Sequence, residues 1–266
     1  MSQIHATAIV EAGAELADDV TIGPYCCVGP EVTLEAGVVL QSHVVVTGKT
    51  RIGQRTRAFP FSSLGQVPQD KKYKGEPARL EIGADNVIRE GVTMNIGTEG
   101  GGMLTKVGDR GLFMTGVHIG HDCQVGNDVV FANNGTLAGH VIIGDFVVLG
   151  GLSAVHQFCR IGPYAMVGGL TGVERDVIPY GMVVGDRARL GGLNLRGLQR
   201  NGFSTDEIRA IRQAYGELFG DAGTFADRLT AVSARYADYA AVSEIIDFIR
   251  SNSSRGLVQP DTDHGA

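Results

Sequence analysis

The sequence predicts an all-β solenoid followed by a C-terminal helical domain. An aliphatic or aromatic residue recurs at every sixth position from Ile4 to Ala58 and again from Val107 to Val173, often with Gly directly after it. After about residue 185 this period stops and a helical period begins. The predicted units are the solenoid at 1–185, the helical domain at 186–256 and a loose tail at 257–266.

A period of six fits neither an α-helix, whose apolar residues recur at about 3.6, nor a single strand, where they recur at about 2. It fits short strands joined by corners, where Gly takes turn conformations at little steric cost. Three faces close the smallest polygon, so one coil takes about 18 residues, and coils stack at about the 4.8 Å spacing of paired strands. Each apolar residue then points inward in a stacked column.

Two segments interrupt the period. Residues 65–79 are polar and contain Pro68 and Pro77, and residues 97–106 contain three consecutive glycines. Both are predicted to leave the coil as loops, which are common sites for binding groups on a rigid scaffold.

The helical domain begins with a clear start signal. Ser204 and Glu207 form an S-x-x-E capping box before an amphipathic run. Further helices are predicted around residues 225–232 and 242–249. We expect these helices to cover the open end of the solenoid and protect its edge.

Composition excludes several classes of protein. The 266 residues carry a net charge of -6, which argues against a nucleic-acid partner because phosphate binding needs clustered Lys and Arg. Four cysteines without CxxC spacing indicate reduced thiols in a cytoplasmic protein. No apolar stretch approaches a membrane span, so no stable membrane insertion is expected.

Histidines gather in one part of the repeat. The stretch HIGHDCQVGN at 118–127 contains His118 and His121, and His140 and His156 follow in the next coils. With 18 residues per coil, Gly139 lies above His121 and Gln157 lies above Gly139. His140 and His156 are displaced from this column by one residue, so the cluster is predicted at one corner.

Three interpretations of the cluster are open. Histidine is tolerated at solvated corners, and neutral imidazole is also a common metal ligand. The third interpretation is general-base catalysis, in which His121 takes a proton from a sugar hydroxyl and Asp122 orients it. The amide of Gly139 could then stabilise an oxyanion, because Gly allows close approach.

Several motifs resemble one family across nearly the whole chain, including both loops and the helical domain. They are HIGHDCQVGN, ANNGTLAGHV at 132–141, GGLSAVHQFCRIG at 150–162, SHVVV at 42–46, QDKKYKGEP at 69–77 and GLNLRGLQRNGFS at 192–204. They are similar to the UDP-N-acetylglucosamine acyltransferases of the hexapeptide-repeat acyltransferases. The resemblance implies a left-handed parallel β-helix of hexapeptide repeats with a C-terminal helical domain.

The resemblance also implies an activity, the first step of lipid A biosynthesis. In it, a 3-hydroxyacyl group passes from acyl carrier protein to the 3-hydroxyl of UDP-N-acetylglucosamine, in a homotrimer with the cleft between neighbouring chains, without metal or other cofactor. His121 is then the base, Asp122 its partner and Gly139 the oxyanion donor. Positions expected to line the substrate cleft are Asp70, Lys72, Tyr73, His118, His140, His156 and Gln157, with Asn194 and Arg200 at the nucleotide diphosphate.

Some positions depart from the family pattern and leave alternatives open. Asn95 and Ile96 replace a His-Arg pair, and Arg187, Arg196 and Asn201 also differ. Because of these changes, two alternative functions stay open. The chain could N-acylate a 3-amino UDP-sugar, or it could be another hexapeptide-repeat acyltransferase. A histidine-ligated metalloenzyme of carbonic anhydrase type is a more remote one.

Two further expectations concern the donor. Gly169 matches the position at which a bulky residue shortens the accepted acyl chain in this family, so Gly predicts room for a longer chain. Residues 187–212 hold six arginines against two acidic residues, a basic patch suited to acidic acyl carrier protein.

Overall fold

The computed structural model describes residues 2–251 and 253–260. Its main body is a three-sided parallel β-helix in which partner residues are 18 apart, for example Thr21 with Val39 and Gln124 with Ile142. This spacing confirms the predicted coil. The first loop widens the spacing to 30 residues between Arg57 and Val87.

Each side of the prism is one sheet, and the chain visits sheets A, B and C in turn. Sheet A contains Gln3–Ile4, Thr21–Ile22, Val39–Leu40, Arg57–Ala58, Val87–Ile88, Leu112–Phe113, Val130–Phe131, Val148–Leu149, Met166–Val167, Gly181–Val184 and Arg189–Leu193. Sheet B contains Ile9–Val10, Cys27–Val28, Val45–Val46, Ser63–Gln66, Thr93–Asn95, His118–Ile119, Thr136–Leu137, Ala154–Val155 and Gly172–Val173. Sheet C contains Glu15–Leu16, Thr33–Leu34, Lys49–Ile52, Arg79–Ile82, Leu104–Val107, Gln124–Val125, Ile142–Ile143 and Arg160–Ile161.

The inward columns form the core. Phe113 and Phe131 are fully buried and meet edge to face, with ring centroids 5.4 Å apart. The second inward position of most hexads, such as Val117 and Val129, is also fully buried. Ile4 is 45% exposed, against the expectation for its column, because no coil lies below the first one.

Residues at the corners stack along the helix axis. We name the corners AB, BC and CA after the sheets they join. At most corners one residue per coil adopts positive φ, including Asp122 and His140 at the BC corner. Stacked side chains follow from this repeat, such as Phe146 on Tyr164 at the CA corner, with ring centroids 4.7 Å apart.

Both predicted loops are shorter than expected. The first spans residues 67–78, because Gln66 and Arg79 still pair in their sheets. In the second, Glu99–Gly101 forms one 3-10 turn and Leu104–Val107 is a full strand beside Arg79–Ile82. The prediction of a loop through residue 106 was therefore wrong.

Four helices follow the sheets. They are α1 (Leu195–Arg200), α2 (Thr205–Leu218), α3 (Phe225–Arg235) and α4 (Ala240–Arg250). The capping box of Ser204 and Glu207 is present at α2. Sequence periodicity did not predict α1, since six residues are too few for an amphipathic pattern. None of the described helices is long and apolar enough to cross a membrane.

The predicted boundary at 185 and the predicted tail at 257 need correction. Arg189–Leu193 pairs antiparallel with Gly181–Val184, so sheet A extends past residue 185 and ends in a hairpin. Val258 is buried and donates its backbone N–H to Asp176, and Leu190 donates to the carbonyl of Gln259. The chain is therefore held to the β-helix at least to residue 259, while residues 261–266 lie outside the described residues.

One ion pair joins this C-terminal segment and α4 to the β-helix. The Asp176 side chain is fully buried and accepts from Arg160 Nε at 2.7 Å, and the Arg160 side chain is only 15% exposed. The Arg160 guanidinium also lies over the Phe248 ring, 4.5 Å from its centroid. The positive charge of Arg160 is therefore largely buried, and the Asp176 carboxylate is the group that neutralises it.

We expect Asp176→Ala to destabilise the fold by about 3–5 kcal/mol, because it leaves a largely buried guanidinium without its partner. The matched control is Asp128→Ala, which removes the surface partner of Arg110 and should cost far less, because exposed ion pairs contribute little to stability. Urea unfolding at one protein concentration measures both. Equal losses in the two variants would contradict this account of Arg160.

Candidate active site

The candidate site lies at the BC corner, where His121 and Asp122 follow the strand His118–Ile119. His121 is 6% exposed and Asp122 is 4% exposed. His121 Nδ1 lies 2.7 Å from Asp122 Oδ2. A buried histidine in contact with a buried carboxylate is suited to proton transfer, since the carboxylate fixes the ring and stabilises its protonated form.

Asp122 is itself held by the second loop. Thr98 donates to it twice, from its backbone N–H to Oδ1 at 2.7 Å and from Oγ1 to Oδ2 at 2.6 Å. The backbone N–H of Asp122 donates to Thr105 Oγ1 at 2.7 Å. Gly101 packs so closely that a Cβ there would lie 2.0 Å from Asp122 Cγ. The consecutive glycines thus let the loop close over the carboxylate.

These contacts set the charge of Asp122. Burial alone would raise the pKa of its carboxyl, but hydrogen bonds from His121 and Thr98 outweigh burial and hold the pKa below its ordinary value of 3.8. Because the folded pKa is lowered, this network stabilises the fold above about pH 4, and the stabilisation is lost as the pH falls through the folded value. At neutral pH Asp122 is ionised, so His121 Nδ1 carries the proton and Nε2 is left as the basic atom.

Gly139 lies above His121, as the 18-residue coil predicts. A Cβ at Gly139 would lie 2.5 Å from His121 Nε2, so no side chain fits there. Among the described residues, none accepts a backbone hydrogen bond from the Gly139 N–H. This amide could therefore bind an oxyanion beside His121.

The other histidines surround this pair. The His140 ring meets the His121 ring edge to face at 5.0 Å and stacks on Phe158 at 4.4 Å. Burial lowers the pKa of His140 below its ordinary value of 6.5, although the charge of Asp122 opposes this shift. His140 is therefore neutral near pH 7 and contacts His121 without adding a charge.

His118, His156 and Gln157 lie on the same side of the prism. His118 Nδ1 is 2.7 Å from Thr93 Oγ1, and burial, together with the nearby His121, lowers the pKa of His118. His156 and Gln157 are exposed, with Gln157 two coils above His121. These polar groups therefore lie on the surface beside the buried His121.

The first loop of the same chain reaches the histidines. The charges of Asp70 and Lys72 both act on the pKa of His140. Tyr73 packs against the core and donates its hydroxyl to the Glu76 carbonyl, which shapes the loop. Asp70 and Lys72 therefore lie within electrostatic range of His140 in the same chain.

Asn194, Arg200 and Gly169 lie elsewhere on the prism. Asn194 is the N-cap of α1, accepts from the Gly197 N–H and donates to the Tyr164 carbonyl at the CA corner. Arg200 is exposed at the end of the same short helix. Gly169 lies at the AB corner next to the exposed Leu170, with the exposed Leu152 in the coil below. One chain does not bring these groups to His121.

Residues 95 and 96 have a structural role that the sequence did not reveal. Asn95 is buried and donates from Nδ2 to the carbonyls of Gln66 and Val67, which fixes the base of the first loop. Asn95 Oδ1 has no hydrogen-bond partner among the described residues. Ile96 is buried in the core.

A metal site was one interpretation of the cluster. Ligand atoms of His121, Asp122 and His140 all lie within 4.8 Å of one another. However, both Asp122 oxygens already accept hydrogen bonds from Thr98, and His140 Nδ1 is 3.7 Å from Oδ2, too far for a hydrogen bond. The geometry favours a proton-transfer network, and metal analysis of the purified protein tests this prediction.

Comparison with known proteins identifies the family. A family model described as Udp N-acetylglucosamine O-acyltransferase, Domain 2, matches residues 176–258. An acyl-[acyl-carrier-protein]--UDP-N-acetylglucosamine O-acyltransferase from Rhizobium johnstonii is 48% identical over 259 residues, which are 97% of this chain and 95% of the relative. The chain belongs to the UDP-N-acetylglucosamine O-acyltransferase family.

Solved structures of this family share the fold. LpxA from Acinetobacter baumannii is 45% identical with a TM-score of 0.93, covering 96% of this chain and 99% of that one. The UDP-N-acetylglucosamine acyltransferase of Francisella novicida is 34% identical with a TM-score of 0.94, covering 98% and 95%. The predicted left-handed parallel β-helix with a C-terminal helical domain is confirmed. Since the relatives are named O-acyltransferases, the N-acylation and metalloenzyme alternatives are not favoured.

We expect Gly139→Ala to lower kcat about 100-fold while the protein stays folded, because the new methyl group must displace His121 and a shift of about 1 Å can cost that much. Gly29→Ala is the control, since its Cβ would meet only ordinary contact at 3.4 Å. Steady-state kinetics and thermal unfolding measure the two effects. A fully active Gly139→Ala enzyme would show that the close approach does not matter for catalysis.

Proposed function

We propose that this chain transfers a 3-hydroxyacyl group from acyl carrier protein to the 3-hydroxyl of UDP-N-acetylglucosamine, in the cytoplasm and as the first step of lipid A biosynthesis. The observation that carries the proposal is the buried His121–Asp122 pair beneath the Gly139 amide, which has no acceptor among the described residues. This arrangement supplies a base and an oxyanion site in one place.

The reaction follows from that geometry. His121 Nε2 takes the proton of the sugar hydroxyl as its oxygen attacks the thioester carbonyl, while Asp122 accepts the Nδ1–H hydrogen bond and stabilises the imidazolium. The developing oxyanion binds the Gly139 N–H. When the intermediate collapses, the C–S bond breaks and the imidazolium returns the proton to the leaving thiolate. No further cofactor is needed for this balance.

The remaining predicted residues suit binding of the acceptor. Asp70, Lys72 and Tyr73 are carried by the first loop beside His140, and His118, His156 and Gln157 offer polar groups along the same wall. We assign these residues to the sugar and its diphosphate. Hydrogen bonds to charged phosphates and to sugar hydroxyls require such donors at fixed positions.

The position of Asn194 and Arg200 supports a cleft that is shared between chains. They lie on the helical side of the CA corner, away from the BC corner of their own chain. A neighbouring chain whose CA corner faces this BC corner would bring them to the diphosphate. We therefore propose that each cleft forms between two chains of a trimer. A solution mass of one chain by light scattering would rule out this assembly.

The donor has two further contacts in this proposal. The apolar, exposed pair Leu152 and Leu170 beside Gly169 suits the acyl chain, because burying such side chains is favourable. The exposed arginines Arg196 and Arg212 belong to the basic patch of 187–212, which suits an acidic carrier protein.

The proposed function is tested by mass spectrometry with UDP-N-acetylglucosamine and 3-hydroxyacyl carrier proteins. We expect O-acylated product from the wild type and a loss of about 100-fold or more in His121→Ala, because general-base catalysis contributes that much. His43→Ala is the matched control, since His43 stacks between Tyr25 and Phe61 at the AB corner. A wild type that acylates no UDP-sugar with any donor would refute the proposal.

The same assay tests Gly169. A Cβ there would lie 3.3 Å from the Gly151 carbonyl oxygen, so a larger side chain must extend over the corner. We expect Gly169→Met to move the preferred donor to a shorter acyl chain, with kcat for that shorter donor retained. An unchanged order of preference across a panel of chain lengths would remove Gly169 from the acyl groove.

A further inference from the structure

The C-terminal segment forms a strap across the last coils of the β-helix. The Asp176 N–H donates to the Gly256 carbonyl, and the Val258 N–H donates back to Asp176. Val258 is 4% exposed, so its side chain belongs to the core. This strap fixes residue 255 beside the coil that carries His156 and Gln157.

Arg255 extends from the strap toward the candidate site. Its Nε–H donates to the Gln157 carbonyl at 2.8 Å. Its guanidinium lies 5.8 Å from the centroid of the Phe158 ring, within cation–π range. Phe158 in turn stacks on His140 with an interplanar angle of 7°. Arg255 is therefore held two coils above His121, at about 10 Å by the spacing of paired strands.

The charge of Arg255 is not neutralised within the described chain. Among residues 2–251 and 253–260, no carboxylate lies within ion-pair distance of Arg255, and its two terminal nitrogens have no hydrogen-bond acceptor. Arg160, on the strand that follows Phe158 in the same coil, differs because its guanidinium binds Asp176, Ser251 and the Phe248 carbonyl. The Arg255 side chain is thus fixed through Nε, and its two terminal nitrogens are available to donate hydrogen bonds to a ligand.

We propose that Arg255 binds a phosphate group of a bound substrate. A guanidinium whose terminal N–H groups are free matches the oxygens of a phosphate, and one anchored through Nε has less freedom to lose on binding. This inference rests on the proposed function, in which both substrates carry phosphate. The phosphate comes from the diphosphate of the sugar nucleotide or from the phosphopantetheine arm of the carrier protein.

Direct binding tests the assignment without turnover. Calorimetry with UDP-N-acetylglucosamine and with 4′-phosphopantetheine gives Kd for the wild type and for Arg255→Gln. We expect one of the two Kd values to rise about 10–100-fold, as for loss of a charge-assisted hydrogen bond, and the affected probe identifies the source of the phosphate. Arg255→Lys should recover part of the loss, and Arg250→Gln, an exposed change at the end of α4, should leave both values unchanged.

Phosphate-free probes separate binding from a structural role. Uridine and pantetheine should bind Arg255→Gln as they bind the wild type. Equal losses for these probes, or Kd values within twofold of the wild type for both phosphate probes, would overturn the assignment. A wild type that binds neither phosphate probe would overturn the proposed function as well, whereas wild-type binding without an effect of Arg255 overturns this inference alone.

Discussion

The candidate site depends on the 18-residue register of the coils. Parallel pairing places each residue directly above the one a coil earlier, so Gly139 must lie over His121 and His140 must lie beside it. A slip of one residue would turn every inward side chain outward, and the apolar columns therefore hold the register strongly. The contacts of His121 with Gly139 and His140 are therefore fixed by the packing of the whole apolar core.

This register is also why much of the molecule could be predicted from sequence. The interval of six predicted the three faces, the corner positions of His121 and His140, and the position of Gly139 above His121. The capping box at Ser204 gave the start of α2, because that motif satisfies the first amides of a helix through its own side chains. These features are local or strictly periodic, and such signals are visible in a single chain.

Other features depend on contacts that periodicity does not encode. Thr98 and Thr105 hold Asp122 from outside its own corner, and the run of glycines predicted only a loop and not the contact with Asp122. The strap at 257–259 has no repeat, so it was mistaken for a tail, although Val258 is buried. Asn194 is far from His121 because the two residues lie at different corners of the prism. This separation follows from the three-dimensional path of residues 181–194, which has no repeat.

The central claim is that His121 and Asp122 act as one unit. The most direct test is a double-mutant cycle of kcat/KM with His121→Ala, Asp122→Asn and the double variant, each checked for folding. If Asp122 works through His121, the double variant will be no more than about threefold slower than His121→Ala alone. Losses that multiply would mean that the two residues contribute independently, and would contradict the assignment of Asp122 as the partner of the base.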